Sequence, residues 1–264
     1  MTNKRVAIIT AVFGSYEKTL KPCVEQTVPC DFICFTDRDE ITNTGPWTID
    51  RTRHHERSLA ETDTSFPNSF TRNNHSFNVA KFYKQNFHNI PCLAAYTYIF
   101  WVDATIELTH PRLIETCIEI LRQGSPIVSV AQDIRGGKLE KEVEASRGNQ
   151  KYSSTSWFGQ SQPVQDVVRQ CRAYLDEGYT DAFFKDEKNR SAGLWTTCFI
   201  GFDMEKSCTV PFLDAWYMET LRHTTQDQVS FPFVAWKHGL KPHGLPDVSK
   251  TNRNMYMKRH GHGR

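Results

Sequence analysis

Asp103 is the residue of this chain whose setting most clearly indicates chemistry. It follows an apolar run, residues 98–102, that is rich in aromatic and β-branched side chains and too short to span a membrane. The run predicts a buried strand, and ligands of open α/β sheets collect where such strands end. A carboxylate there can hold a divalent cation against phosphate oxygens. The alternative is that Asp103 only caps the following turn.

Two lysines and a second carboxylate point to the same kind of ligand. Lys81 and Lys84 are three residues apart, so on a helix they share one face and could neutralise a diphosphate. Lysine pairs on helices are, however, usually just solvated. Asp37 ends a second apolar run and could accept hydrogen bonds from a ribose or a base, or could simply cap a turn.

The turn after the first apolar run is a weaker signal. Gly14 allows the backbone to approach a ligand closely. The segment 10–16 nevertheless has neither the G-x-G-x-x-G spacing of a dinucleotide fold nor that of a P-loop. Taken alone, it fits an ordinary strand-to-helix turn.

The elements that must position these residues alternate along the chain. Apolar runs at 6–12, 32–36, 98–102 and 126–131 predict buried strands. Helices are predicted between Pro111 and Gly124 and from about Val164 to Leu175. This alternation predicts an α/β fold in which helices cover both faces of a mostly parallel central sheet. The polar stretches 38–76 and 135–162 read as long loops.

The composition is consistent with one large domain. The chain has 264 residues, of which 39% are hydrophobic, and a formal charge of +2. We therefore expect a single domain over 1–264, with a nucleotide-binding half at about 1–132 and an acceptor-side half at about 133–264. The balanced charge gives no reason to expect nucleic acid as a partner.

Cysteine usage and hydropathy bear on the compartment. The eight cysteines form no C-x-x-C pair and no His/Cys zinc spacing, which favours a reducing environment. Neither a signal-peptide pattern at the start nor a transmembrane segment is evident. These features predict a cytoplasmic protein, peripheral to a membrane at most.

Six motifs, in order, resemble a glycosyltransferase-like family long catalogued as a domain of unknown function and found in bacterial capsule loci and plant Golgi proteins. The similarity spans about residues 5–245, nearly the whole chain. The motifs are VAIITAVFGSY at 6–16, DFICFTD at 31–37, AKFYK at 80–84, WVD at 101–103, GLWTT at 193–197 and QDQVSFPFVAWK at 226–237.

This resemblance implies a GT-A-like, Rossmann-related fold, a nucleotide-sugar donor, and sugar transfer to a hydroxyl of a glycan or other acceptor, as in polysaccharide biosynthesis. It also implies roles for particular residues. The nucleoside would be held by Thr10, Ala11, Phe13, Tyr16 and Asp37. The diphosphate would meet Lys81 and Lys84, and the donor sugar would meet Thr196 and Thr197.

The resemblance places Asp103 at the position of the D-x-D motif, but the chain departs from that motif. Its third residue is Thr105, whose hydroxyl is a much poorer metal ligand than a carboxylate. A cation, Mn²⁺ or Mg²⁺, would then need a late histidine such as His260 or His262, with His243 as a further candidate. The alternative is that no metal takes part and that Lys and Arg carry the charge of the leaving group.

Asp227 is the candidate for deprotonating the acceptor hydroxyl, as an inverting enzyme requires, so Asp227 and Asp103 are the predicted catalytic residues. The alternative is that Asp227 is the N-cap of the apolar helix that follows, a position that Ser230 could also fill. Trp195 could stack on an acceptor ring or lie in the core.

Two other classes of protein remain open. A non-catalytic protein that binds sugars or nucleotide sugars could keep the fold while losing the metal site, as Thr105 allows. A sugar nucleotidyltransferase is less favoured, because residues 10–16 lack the basic residue of its phosphate loop.

Overall fold

The computed structural model describes residues 5–42, 45–58, 65–132, 134–155, 161–185, 193–245 and 256–261. The strands are β1 (Val6–Val12), β2 (Asp31–Thr36), β3 (Trp47–Asp50), β4 (Tyr98–Val102), β5 (Ile106–Leu108), β6 (Ile127–Ala131), β7 (Trp195–Asp203), β8 (His243–Leu245) and β9 (Met257–Arg259). The α-helices are α1 (His54–Ser58), α2 (Ser76–Gln85), α3 (Leu113–Arg122), α4 (Leu139–Arg147), α5 (Val167–Asp176), α6 (Thr209–Arg222) and α7 (Asp227–Lys237). Short 3₁₀ helices cover Phe87–Asn89, Pro91–Leu93, Gln150–Tyr152 and Asp181–Phe184.

Seven strands form the central sheet in the order β3-β2-β1-β4-β7-β6-β8. Strand β7 is antiparallel to both of its neighbours, and every other pairing in the sheet is parallel. Strands β5 and β9 form a separate antiparallel pair. The prediction of a mostly parallel sheet is confirmed.

Helices cover both faces of this sheet, as predicted. One face carries Ile9, Trp101 and Ile200 and packs against apolar side chains of α2 and of α4 to α7. The other face carries Ile8 and Phe100 and packs against α3. Neighbouring strand residues point to opposite faces, and both faces are covered, so every position of β1 and β4 is buried, which explains why few of their residues are polar.

Most predicted elements are confirmed with small shifts at their ends. Strands β1, β2, β4 and β6 lie where the apolar runs predicted them, and α3 occupies the predicted interval between Pro111 and Gly124. The prediction for α5 was wrong at its start. The Asp166 side chain accepts a hydrogen bond from the Arg169 N–H at 2.9 Å, so the helix begins after it, and Val164 is 70% exposed.

The two stretches predicted as long loops contain regular structure. The first holds β3 and α1, and the second holds α4. Strand β3 forms because Trp47 is buried at one sheet edge, where it packs edge-on against Phe32. Strand β7, which the alternation did not indicate, occupies the middle of the sheet between β4 and β6.

Two general features complete the fold. All eight cysteines are free thiols. Across the described ranges, the helices are too short or too polar to cross a bilayer.

Candidate active site

Helix α2 lies against β1 and α6 with all ten of its residues buried. Its first turn is fixed by polar contacts: the His75 ring nitrogen Nδ1 accepts from the Phe77 N–H at 3.1 Å. Further along, the Tyr83 ring stacks on Phe13 and Phe35. These contacts hold Lys81 and Lys84 towards the sheet rather than towards solvent. The solvated alternative for the lysine pair is thereby excluded.

Asp103 lies where β4 leaves the sheet. Its backbone N–H donates to the Cys198 carbonyl of β7 at 2.8 Å, and its own carbonyl accepts from Ile106 N–H at 2.8 Å. The indole Nε1–H of Trp101 donates to Asp103 Oδ1 at 2.7 Å, and Lys84 Nζ lies 3.3 Å from the same oxygen. The Asp103 side chain is 40% exposed, so it is both anchored and accessible.

Asp227 brings the two lysines together. Its Oδ2 lies 2.9 Å from Lys81 Nζ and 2.5 Å from Lys84 Nζ. All three side chains are less than 10% exposed. Thr197 Oγ1 of β7 also accepts from Lys84 Nζ at 3.3 Å. Asp227 is the first residue of α7, and Gln226 occupies the cap position, so neither Asp227 nor Ser230 is the N-cap.

The charged groups of this cluster shift one another's pKa values. Burial raises the pKa of a carboxylate, but Lys81 and Lys84 override burial and hold the pKa of Asp227 well below its usual range. Burial lowers the pKa of Lys81 to about 7, although Asp227 opposes the shift. For Lys84, Asp103 and Asp227 outweigh burial and leave its pKa raised.

Two adjoining cavities open around Asp103. The first, here called the lysine cavity, has a volume of about 70 Å³ and is lined by Tyr16, Lys81, Lys84, Asp103 and Lys151, among others. That volume is roughly that of two water molecules in the liquid. The lysine cavity can therefore enclose only a small group, such as part of a diphosphate.

The second cavity, here called the glutamine cavity, is larger, at about 370 Å³. It shares Lys81, Asp103 and Lys151 with the lysine cavity. Its other polar lining residues are Gln132, Arg135, Glu142, Ser146, Asn149, Tyr152, Thr196, Thr197, Gln226, Asp227, Gln228 and Arg259. Its size falls within the range of small-molecule sites.

The residues predicted to hold the nucleoside divide into three groups. Ala11 and Tyr16 line the lysine cavity, and the Tyr16 hydroxyl donates to the Ala11 carbonyl at 3.2 Å. Thr10 and Phe13 are buried and line neither of the two cavities. Asp37 is exposed, and its Oδ1 accepts from Gly14 N–H at 3.2 Å, which links the ends of β1 and β2.

The residues predicted to meet the donor sugar lie beside Asp103. Thr196 and Thr197 are in β7 and line the glutamine cavity. Trp195 lies in the core instead: it is 1% exposed and packs edge-on against Phe184 and Phe231. The possibility that Trp195 stacks on an acceptor ring is therefore excluded.

The three histidines near the end of the chain that are candidate metal ligands do not lie together in the described structure. Strand β9 pairs with β5 and brings His260 beside the Asp103 turn, where its backbone N–H donates to the Thr105 carbonyl at 2.8 Å. The His260 imidazole faces Glu107, with Nε2 2.7 Å from Oε2. His262 lies outside the described residues. His243 lies opposite Val128 on the edge strand β8 and lines neither of the two cavities.

The donor set around Asp103 fits a lightly coordinated cation. Within the described ranges, no hydrogen bond or ion pair engages Asp103 Oδ2, whereas Oδ1 is held by Trp101 and Lys84. Mg²⁺-like ions often bind through one or two carboxylates, with substrate phosphates and water as the remaining ligands. Asp103 could serve such an ion, and Asp227 is already neutralised by the lysines.

A different group of metal-capable side chains lies at the edge of the sheet. Asp50, His54 and Cys92 place donor atoms within 4.8 Å of one another, and His54 Nε2 is 3.1 Å from Asp50 Oδ2. These residues line neither cavity around Asp103. The group does not contribute to the candidate site.

A wide groove, here called the basal groove, lies at the end of the sheet where the parallel strands begin, opposite the end at which Asp103 lies. Its volume is about 1320 Å³. It is lined by Arg5, Cys30, Asp31 and Tyr98, among others, near the starts of β1, β2 and β4. The charged pair Arg5–Asp31 is more than half exposed. Size alone therefore favours the basal groove as the ligand site. The buried charges that converge at Asp103 favour the two cavities there.

Sequence reasoning missed several residues of the site. Lys151 follows from neither a motif nor periodicity, because it lies in a short 3₁₀ helix within a polar stretch. Glu142 and Gln132 likewise lie in or beside a segment read as a loop. Gln226 and Gln228 flank Asp227 in the motif at 226–237, so the sequence alone could have indicated that they lie near the site.

Comparison with known proteins adds similarities of fold only. The chain is similar to core-mannan synthase A of Aspergillus fumigatus in a Mn/GDP form, with 12% identity, a TM-score of 0.41, and coverage of 98% of this chain and 75% of that one. It is similar to mouse xyloside xylosyltransferase 1, with 9% identity, a TM-score of 0.45, and coverage of 92% and 84%. It is also similar to the bifunctional glycosyltransferase WbbM, with 9% identity, a TM-score of 0.46, and coverage of 92% and 39%.

No protein-family model and no curated protein matches the sequence.

Proposed function

We propose that this protein is a glycosyltransferase that moves a sugar from a nucleotide-diphosphate-sugar donor to a hydroxyl group of a glycan or other acceptor. The observation that carries this proposal is the buried cluster at Asp103. There, Lys81 and Lys84 converge on Asp227 beneath a cavity that Lys151 also lines. Burying ammonium groups costs free energy, so a cluster of them at a ligand edge of the sheet calls for an anionic ligand.

The charge balance of the site supports a diphosphate in particular. The described residues that line the two cavities at Asp103 include five cationic side chains and three carboxylates. Burial also lowers the pKa values of Lys81 and Lys151, so these ammonium groups lack full compensation. An anion of charge about −2, such as the diphosphate of a nucleotide sugar, would restore neutrality.

The positive charge that binds the diphosphate would also assist glycosyl transfer. As the bond to the sugar breaks, negative charge builds on the departing diphosphate, and Lys81 and Lys84 lie ready to stabilise it. Where a divalent cation takes part, Asp103 would hold it, and the ion would neutralise further charge on the leaving group.

The role of Asp227 as general base stays a prediction. A carboxylate held by two ammonium groups, with a lowered pKa, accepts a proton weakly. Its contacts fit better the task of orienting Lys81 and Lys84. We propose this orienting role as the one that the geometry favours.

Asp103→Asn tests the proposal because it removes a charge and keeps the shape of the side chain. Donor hydrolysis or transfer would be measured with a panel of UDP- and GDP-sugars, with and without Mn²⁺. We expect turnover to fall by roughly 10²–10³-fold, a typical loss when an electrostatic group at a leaving group is removed. The melting temperature should fall less than in Asp227→Asn, because the Asp103 side chain is partly exposed and Lys84 keeps Asp227 as a partner.

Asp31→Asn is the matched control, since Asp31 lines the basal groove. It should leave turnover unchanged. Loss of turnover in Asp31→Asn with full activity in Asp103→Asn would contradict the proposal. Nucleotide-sugar binding without turnover in the wild type would instead favour the non-catalytic binding protein.

A further inference from the structure

Glu142 of α4 is a buried carboxylate that the steps described above do not use. It is 5% exposed and lines the glutamine cavity. Five polar side chains point hydrogen-bond donors at it. Two of them reach Oε2 and three reach Oε1: Gln132 Nε2 at 3.2 Å and Arg135 Nε at 3.3 Å, then Gln226 Nε2 at 3.3 Å, Ser146 Oγ at 3.4 Å and Gln228 Nε2 at 3.4 Å.

None of these contacts is short. Hydrogen bonds to an ionised carboxylate usually measure about 2.7–2.9 Å when the donor is an N–H of a cation. The amide of Gln226 makes its short bond elsewhere, to Ser146 Oγ at 2.7 Å. Glu142 is therefore surrounded by donors but held at short distance by none, so a ligand hydroxyl that approaches closely can replace one of these long contacts.

The neighbouring amide adds an acceptor. Gln132 Oε1 is buried and has no hydrogen-bond partner among the described residues, while Nε2 of the same amide faces Glu142. An unpaired buried acceptor costs free energy that a ligand O–H could recover. Burial also raises the pKa of Glu142, with Gln132 and Arg135 opposing the shift, as expected where the donors to a buried carboxylate lie at long hydrogen-bond distances.

This wall lies next to the proposed diphosphate position. Gln226 precedes Asp227 in the chain, and Asp227 holds Lys81 and Lys84. The glutamine cavity runs from Lys81 and Asp103 to Glu142. A group attached to a diphosphate at the lysines would thus enter a cavity of which one wall combines a carboxylate with amides. Hydroxyl groups, which both donate and accept, match such a wall.

We propose that the wall formed by Glu142, Gln132, Gln226 and Gln228 binds the hydroxyl groups of the donor's glycosyl ring, and that Glu142 determines which sugar is accepted. This inference rests on the proposed function. Glu142 accepts a hydrogen bond from one ring hydroxyl, and the amides bind its neighbours. A site of this kind discriminates strongly against a sugar that lacks the hydroxyl, because its buried polar groups are then left unpaired.

Calorimetric titration of Glu142→Gln tests the inference. UDP, GDP, UDP-glucose, UDP-xylose and GDP-mannose would be titrated into the wild type and the variant. We expect one nucleotide sugar to bind the wild type more tightly than its own nucleoside diphosphate. In Glu142→Gln that ratio should shrink by about 10-fold or more, which is about 1.4 kcal/mol, while the affinity for the diphosphate alone stays the same.

Two further variants guard against misreading. Glu144 lies on the exposed side of the same helix, so Glu144→Gln should change neither the affinity for the nucleotide sugar nor that for the diphosphate. If Glu142→Gln fails to fold, Gln228→Ala, whose side chain is partly exposed on the same wall, should reduce the ratio by a smaller factor.

The outcomes separate the inference from the function beneath it. An equal loss of sugar and diphosphate affinity in Glu142→Gln, or an unchanged ratio, would overturn the inference and leave the proposed function standing. Weakened binding of free methyl glycosides with an unchanged ratio would assign the wall to the acceptor and also overturn it. Failure of the wild type to bind any nucleotide would remove the proposed function itself.

Discussion

At the scale of single residues, the site is defined by charges placed where water is scarce. Lys84 has a side chain that is 3% exposed, yet it contacts two carboxylates and a threonine hydroxyl. Such a group is tolerated only because its partners offset the cost of desolvation. Asp227 is the partner that matters most, because it touches both lysines.

Asp227→Asn should therefore act first on stability. Removing one member of a buried ion pair typically costs about 3–5 kcal/mol of unfolding free energy. The measurement is urea unfolding across a pH series. Glu177→Gln, which breaks a contact to Lys237 between two half-exposed side chains, is the control and should cost less than about 1 kcal/mol.

The pH dependence of this loss has a defined sign. The lowered pKa of Asp227 means that its stabilisation is present above its ordinary value of 3.8 and fades at lower pH. In the variant, Lys81 loses its counter-charge, so its pKa falls below about 7, and a rise in pH relieves the cost by neutralising it. The difference in unfolding free energy between the wild type and Asp227→Asn should be largest between about pH 4 and pH 7. An unchanged stability with lost transfer would instead support the general-base role.

At the scale of elements, strand β7 decides how the site is built. It enters the sheet antiparallel between β4 and β6 and brings Thr196 and Thr197 beside Asp103. Gly201, near its end, pairs with Phe100 on one side and Val128 on the other. A Cβ at Gly201 would overlap the Phe100 ring and lie 2.9 Å from Val128 Cγ1.

Gly201→Ala should consequently lower the free energy of unfolding by about 1–3 kcal/mol, the usual cost of overpacking a core. Gly148→Ala is the matched control, since a Cβ there meets nothing within 4 Å and its φ of −95° suits any residue. Thermal unfolding of both variants provides the comparison. Equal melting temperatures would show that the sheet relaxes more readily than its packing implies.

The elements also show what the sequence could and could not predict. Strands β1, β2 and β4 are apolar throughout because both sheet faces are covered, and that pattern is local and readable. Asp103 could be predicted because it follows such a strand, and the two lysines because their spacing of three residues places them on one face of a helix. Lys151 and Glu142 could not, because they lie in polar stretches that only long-range packing brings to the site.

At the scale of the whole molecule, the two edges of the sheet offer competing sites. The carboxyl edge holds small cavities with buried charge, and the opposite edge holds the larger basal groove. The groove is open, and its Arg5–Asp31 pair is well solvated, so its charges cost little to maintain. The charges at Asp103 are costly in the absence of a ligand, and this asymmetry is the reason to place function there.

The location of a bound nucleotide sugar tests this central claim most directly. A crystal structure of the protein soaked with the tightest-binding member of the nucleotide-sugar panel should show the diphosphate oxygens against Lys81 and Lys84, beside Asp103. A diphosphate bound in the basal groove near Arg5, with Lys81 and Lys84 still paired only with Asp227 and Asp103, would contradict the account.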